Sequence, residues 1–157
     1  MCRYLWDNQP PTRSTVEAMV QSSSRQLASD GHGLWILRRP SPHEGQPIGL
    51  CGLQPVPPPS PGGDPTGLTE LLYSLDPEHW GQGLATEAAR AVLRFAFHDL
   101  GRARVFGGID EENTASRAVL ERVGMRPAGS MVVHGQTYPY FAVTRDDFLG
   151  SEDLSGK

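Results

Sequence analysis

The stretch that decides the fold begins with Thr69-Glu70-Leu71-Leu72-Tyr73-Ser74-Leu75. It passes through Glu78-His79-Trp80-Gly81-Gln82-Gly83-Leu84-Ala85-Thr86-Glu87 and runs on to Leu100. In the first segment Leu71, Tyr73 and Leu75 fall on one side, and Glu70, Leu72 and Ser74 on the other. That alternation predicts a strand over Thr69–Leu75. From Leu84 to Leu100, Ala85, Ala88, Val92, Phe95 and Ala96 recur at helical spacing, with Ala89 and Leu93 widening the apolar face and Gly101 as a stop. Arg104–Ile109 reads as the next strand. Strand, helix, strand in that order predicts two parallel strands joined by a right-handed crossover, an α/β (α+β) arrangement.

The turn between strand and helix carries the chemistry. The first N–H groups of a helix have no intrahelical acceptor, and the helix dipole adds partial positive charge there. Gly81, Gly83 and Ala85 keep side chains away, so an anion such as a pyrophosphate has room to reach the backbone. The glycines alone do not settle this, because a glycine-eased turn needs no ligand. The dinucleotide fingerprint fails at Thr86, where its third glycine would stand. The phosphate-loop pattern fails too, since no Gly-Lys-Ser/Thr follows.

Working outward, Ser14-Thr15-Val16-Glu17 reads as a capping box that opens a helix, with Val16, Met19, Val20 and Leu27 on its apolar side and Gly31 at its end. Gly33–Arg38 and Ile48–Gln54 read as antiparallel strands around a turn at Arg39–Pro47. Pro55–Gly67 holds six prolines and three glycines. It reads as a long hairpin connection, with polyproline character that resembles a peptide-docking ligand. Asn113 caps another helix, with Ser116, Val119, Leu120 and Val123 inward and Gly124 at its end. Met131–His134 and Tyr138–Val143 read as a closing hairpin. The expected organisation is one domain over residues 1–145, followed by a polar, fraying tail over 146–157.

Composition bounds the rest. At 157 residues, 38% hydrophobic and 20% charged, the chain suits one globular domain. A formal net charge of -4 gives no global basic field for nucleic acid. No signal-peptide pattern and no membrane-length apolar run is present. Cys2 and Cys51 are poorly placed for a structural disulfide, which points to a reducing, cytoplasmic setting. Every basic residue but Lys157 is arginine, a bias expected of a GC-rich bacterial gene. The five histidines show no metal-ligand spacing, so no metal is expected.

The neighbours of the glycine turn narrow its reading. Trp80 to Ala88 resembles the Trp-Gly-x-Gly-x-Ala-Thr-Glu-Ala run of the GNAT superfamily of N-acetyltransferases, in the branch of the ribosomal-protein N-terminal alanine acetyltransferases. Asn113 to Met125 resembles that branch's Asn-x-x-Ser-x-x-x-Leu-Glu-x-x-Gly-Phe. The resemblance covers roughly Gly33 to Val143. It implies a mixed, mostly antiparallel sheet with helices on both faces, split by a wedge between Thr69–Leu75 and Arg104–Ile109 that admits acetyl-CoA. Ser74 and Leu75 would pair with the pantetheine arm. Trp80, Gly81, Gln82, Gly83, Leu84, Ala85 and Thr86 would form the pyrophosphate cradle, and Asn113 and Ser116 would lie near the thioester. The implied reaction is direct acetyl transfer to a primary amine of a small molecule or a protein N-terminus, without an acyl-enzyme.

Candidate catalytic groups follow from that implication. Glu70 is the candidate general base, acting through water, or the group that binds the substrate ammonium; its plainer role is a solvent-facing strand residue. Asp110, Glu111 and Glu112 read as a solvated acidic turn. Asn113 is equally a plain helix cap, and Ser116 a small packing residue. Many superfamily members place a tyrosine, the presumed acid for the thiolate, where this chain has Leu120. Ser116, one turn earlier on the same face, is then the remaining candidate. His134 and Tyr138 flank a hairpin where acceptors often lie in this family. A catalytically silent acetyl-CoA sensor and an interaction domain built on Pro55–Pro65 are the competing functions. The branch usually opens with a strand that precedes Tyr4-Leu5-Trp6-Asp7, so a missing first strand is expected. Gly33–Arg38 would then be a bare edge, open to covering by a homodimer.

Overall fold

The computed structural model describes residues 11–40, 45–56, 68–133 and 135–155. In chain order the elements are α1 (Arg13–Asp30), β1 (Leu34–Arg38), β2 (Pro47–Val56), β3 (Leu68–Leu75), α2 (Leu84–Arg94), β4 (Arg104–Gly108), α3 (Thr114–Arg122), β5 (Arg126–Val133), β6 (Gln136–Thr144) and α4 (Arg145–Ser155). The strands form one sheet in the order β1-β2-β3-β4-β6-β5. Neighbours are antiparallel except β3 and β4, the parallel pair that the βαβ reading predicted.

One sheet face carries the core. Cys51, Leu53, Leu71, Val105, Phe141 and Val143 point the same way and join Leu93 and Phe97, Leu120 of α3 and Phe148 of α4 in one cluster. Trp35 and Leu37 of β1 pack against it, with the Trp35 and Phe95 rings edge to face at 5.5 Å. The helix expected to reach Leu100 ends its regular turns at Arg94. Phe95–Asp99 form a wider π turn, closed by the Leu100 N–H on the Phe95 carbonyl, which keeps Ala96 and Phe97 in the core.

Several boundaries differ from the sequence reading, each for a local reason. α1 is capped by Thr12, whose hydroxyl accepts from the Thr15 N–H at 3.2 Å, rather than by the box at Ser14. No α1 residue is buried, and Val16, Val20 and Leu27 are exposed, so its expected apolar side does not face the core. What ties α1 to the sheet is polar: Ser23 bridges the backbone of Leu34. β5 begins at Arg126 rather than Met131, because a bulge between Pro127 and Gly129 carries the strand past the proline. β2 runs on through Pro55 and Val56, so part of the expected loop is strand. β1 pairs with β2 alone among the described residues. The missing first strand, Tyr4, Trp6 and Cys2 lie outside the described residues, as do His43, residues 57–67 of the proline-rich loop, and His134. No helix among the described residues is long and apolar enough to cross a membrane.

The fraying tail is the clearest correction. Arg145–Ser155 is helical, and Phe148 is 1% exposed with its ring 5.2 Å from that of Phe97. Its start has a cap that the polar composition concealed. Thr144 Oγ1 accepts from the Asp147 N–H, donates to its carboxylate at 2.7 Å, and is followed by two acids in the first turn. Glu152 also pairs with Arg94 of α2 at 2.5 Å. Phe148→Ala should therefore destabilise the fold by about 3–5 kcal/mol. Urea unfolding checks this, and a frayed tail would leave the midpoint where it is.

Candidate active site

The parallel strands touch at one place. β2 pairs with β3 along the whole length of β3, but β4 meets β3 only at Glu70↔Phe106. Beyond that point β4 follows β6, and the Ile109 N–H bonds the Pro139 carbonyl. The sheet opens into a cavity of about 460 Å³ bounded by Leu71–Leu75, the glycine turn, the end of β4 and the first turns of α3. The wedge thus lies between the two strands where the superfamily resemblance implied it.

Its far end is the turn before α2. Gly81 and Gly83 have φ of 71° and 78°, a left-handed conformation that glycine adopts without strain. A side chain added at either would meet nothing within 4 Å. Gly83 is the N-cap of α2 and no side chain caps that end. The amides of Leu84, Ala85 and Thr86 therefore open the helix without an intrahelical acceptor, beside the cavity that these residues line. Trp80 locks the turn to β3. Half of it is exposed, yet its indole N–H donates to the Leu75 carbonyl at 2.9 Å. Gln82 faces elsewhere: its amide donates to the Glu78 carbonyl at 3.1 Å, its oxygen accepts from Arg39, and it does not line the cavity.

Near the vertex the site residues divide. Asn113 and Ser116 both line the cavity, and Asn113 Oδ1 accepts from the Ser116 N–H at 3.0 Å, so Asn113 is a cap and a wall at once. Ser74 and Leu75 line it as well, with the Leu75 carbonyl already taken by Trp80. Glu70 does not line it. Its carboxylate accepts from the Gln54 amide at 2.8 Å and from the Gly108 N–H at 3.2 Å, strapping β3 to β4 on the sheet face away from the core. Asp110 lines the cavity and caps its own turn through the Glu112 N–H, while Glu111 and Glu112 are exposed. Leu120 is 1% exposed and packs where a Gly107 side chain would stand, outside the cavity.

Sequence reading missed two parts of this wall. Ala115, Ala118 and Arg122 of α3 line the cavity. They share a face that the apolar periodicity does not mark, because alanine and arginine are silent in it. Tyr73 also lines the cavity and donates its hydroxyl to the Ser116 carbonyl at 3.1 Å. Burial pushes its phenol from the ordinary 10.0 up to about 12.

The sequence matches the Acetyltransferase (GNAT) domain family over residues 1–126. The chain belongs to the GNAT acetyltransferase family. Among its relatives is the FsC-acetyl coenzyme A-N(2)-transacetylase of Aspergillus fumigatus, 34% identical over 128 residues that cover 76% of this chain and 53% of that protein. This GNAT chain spans about half the length of that curated relative. Among solved structures, an acetyltransferase from Agrobacterium tumefaciens superposes with a TM-score of 0.72 at 22% identity, covering 87% of this chain and 75% of that one. Aminoglycoside acetyltransferase AAC(6')-Ib in complex with coenzyme A gives 0.71 at 19% identity, covering 96% and 86%. At those identities the structures show the shared α+β GNAT fold.

The Trp80 bond has a measurable consequence. Trp80→Phe keeps an aromatic ring but leaves the part-buried Leu75 carbonyl without its indole donor. An unsatisfied buried acceptor costs about 1–3 kcal/mol. The variant should melt earlier and bind acetyl-CoA more weakly by calorimetry; unchanged values for both would mean that the turn is held by other contacts.

Proposed function

We propose that this GNAT chain transfers the acetyl group of acetyl-CoA to a primary amine by direct attack in a ternary complex. The observation that carries the reading is the split between β3 and β4, which ends at an uncapped helix N-terminus. The pyrophosphate would lie on the amides between Gly81 and Thr86, where helix dipole and open N–H groups favour an anion. The pantetheine arm would run beside β3, with the Tyr73 backbone and the Leu75 N–H offering ladder groups in place of a strand, because Ser74 turns its own to β2. Arg122, at the α3 end of the cavity, would add positive charge toward the phosphates.

At the thioester end, Asn113 and Ser116 would position the acetyl group. A backbone N–H near Leu75 would polarise its carbonyl. The geometry suits Glu70 to a supporting role, since both carboxylate oxygens are engaged; a base or ammonium-binding role needs one of them to turn toward the acceptor. The acceptor would be a small-molecule amine or a protein N-terminus, the second favoured by the alanine-acetyltransferase runs at Trp80–Ala88 and Asn113–Met125. The reading places the protein in the cytoplasm. Leu120, buried away from the cavity, favours a second reading: an acetyl-CoA sensor without turnover.

Two experiments separate these readings. Gly83→Glu forces a side chain into a left-handed position and sets a carboxylate against the pyrophosphate. It should abolish acetyl-CoA binding by calorimetry, and undiminished binding would sink the assignment of the turn. A transfer screen over amines and N-terminal peptides then tests for an enzyme. With a confirmed acceptor, Asn113→Asp keeps the helix cap but removes the amide donor, and should slow turnover on the order of a hundredfold; Ser116→Ala should slow it more modestly. Parental rates in both would remove these residues from the mechanism, and binding without transfer to any acceptor would leave the sensor.

A further inference from the structure

The cavity holds a hydroxyl that the residue pattern of α3 does not supply. Tyr73 stands on the core-facing side of β3 and reaches across to the first turn of α3, where it donates to the Ser116 carbonyl at 3.1 Å. The Ser116 N–H is itself held by Asn113 Oδ1, so the acceptor that positions the phenol is fixed by the helix cap. Tyr73, Asn113 and Ser116 all line the cavity, on the side where the two parallel strands separate. Leu120 is turned into the core and cannot reach the same space. The strand wall thus brings a phenol into the cavity beside the Ser116 hydroxyl of the helix.

We propose that Tyr73 is a catalytic residue that donates a hydrogen bond to the thioester sulfur as it leaves, its hydroxyl turning from the Ser116 carbonyl to the sulfur. The inference rests on the acetyl-transfer reading above. In the step, the lone pair of the neutral acceptor nitrogen forms the N–C bond to the acetyl carbonyl carbon. The C–S bond breaks and its electron pair goes to sulfur. The surplus proton on nitrogen passes to water, and coenzyme A departs as the thiolate or is protonated from solvent. Tyr73 keeps its own proton throughout. A phenol held up to about 12 is a weaker acid than an ordinary thiol near 8.5, so handing its proton over outright would run uphill. The same burial keeps the hydroxyl protonated as a donor across the working pH range and removes competing water around it.

The test uses all 157 residues of the chain. Tyr73→Phe removes one oxygen and keeps the ring. Acetyl-CoA affinity by calorimetry should stay within about twofold, while kcat for the best amine of the screen falls on the order of tenfold to a hundredfold with KM for both substrates little changed. Release of free thiol from acetyl-CoA without amine should fall by a similar factor. Fluorinated tyrosines at position 73 separate donation from mere packing. A more acidic phenol is a stronger donor, so turnover should rise with the number of fluorines until the phenol begins to ionise, and that downturn should appear at lower pH as fluorination increases. Parental turnover in Tyr73→Phe overturns the proposal. So does a loss of turnover in Tyr73→Phe with no trend across the fluorotyrosines, which would make the bond to Ser116 structural. A parent chain that binds acetyl-CoA but releases no thiol under any condition overturns the acetyl-transfer reading itself, and this inference with it.

Discussion

Two parallel strands that touch at a single position govern the architecture. Parallel strands in a closed sheet normally share a ladder along their length, and β3 and β4 share only Glu70↔Phe106. The split has to be held open by bonds made elsewhere. On one side β3 is committed to β2 from Leu68 to Leu75. On the other, β4 is committed to β6, and the Ile109 N–H continues that commitment past the strand end. Glu70 bridges the vertex with one oxygen on Gly108 and the other on Gln54. Glycine at 108 is part of this, because a Cβ there would stand 3.0 Å from the Glu70 carboxylate.

The cavity follows from that constraint. With β4 turned away, the edge of β3 beyond Glu70 faces open space, and the connection to α2 must start from that edge. The glycine turn makes the sharp reversal possible, and Trp80 ties it back to the last strand residue. Asn113 and Ser116 enter from the opposite wall because α3 begins where β4 ends. A hydrogen bond from Tyr73 to Ser116 joins the two walls directly. Strand, turn and helix are each ordinary; it is the single-position contact that sets them around a common space.

Much of this was legible in the residues. The parallel pair, the glycine turn and the α3 cap all rest on strong local signals: alternation over Thr69–Leu75, glycines just ahead of an apolar helical run, and an asparagine three residues before Ser116. What was not legible depended on distant partners. Glu70 looked like a free carboxylate because nothing in its own strand announces Gln54 or Gly108. Tyr73 looked like a core residue because its alternation is apolar, while its oxygen is satisfied forty-three positions away. The C-terminal helix was masked by acids that read as solvated tail, although Thr144 and Asp147 carried the cap and Phe148 the anchor.

The difference between Glu70 and Tyr73 shows how burial reassigns roles that sequence position suggests. Both sit on β3, three residues apart, on opposite faces. The carboxylate lies on the face away from the core, where it is spent on two donors that hold the sheet together. The phenol lies on the core face, where desolvation keeps it protonated and its hydroxyl meets the Ser116 carbonyl at the cavity wall. A charged group buried beside a thioester would have to be neutralised or paired, at a cost of several kcal/mol per ion. A neutral hydroxyl with one backbone acceptor meets the same need for polarity without that penalty. In a wedge lined mostly by aliphatic side chains and backbone, the group best suited to meet developing negative charge is an uncharged donor, and β3 carries one on the cavity side.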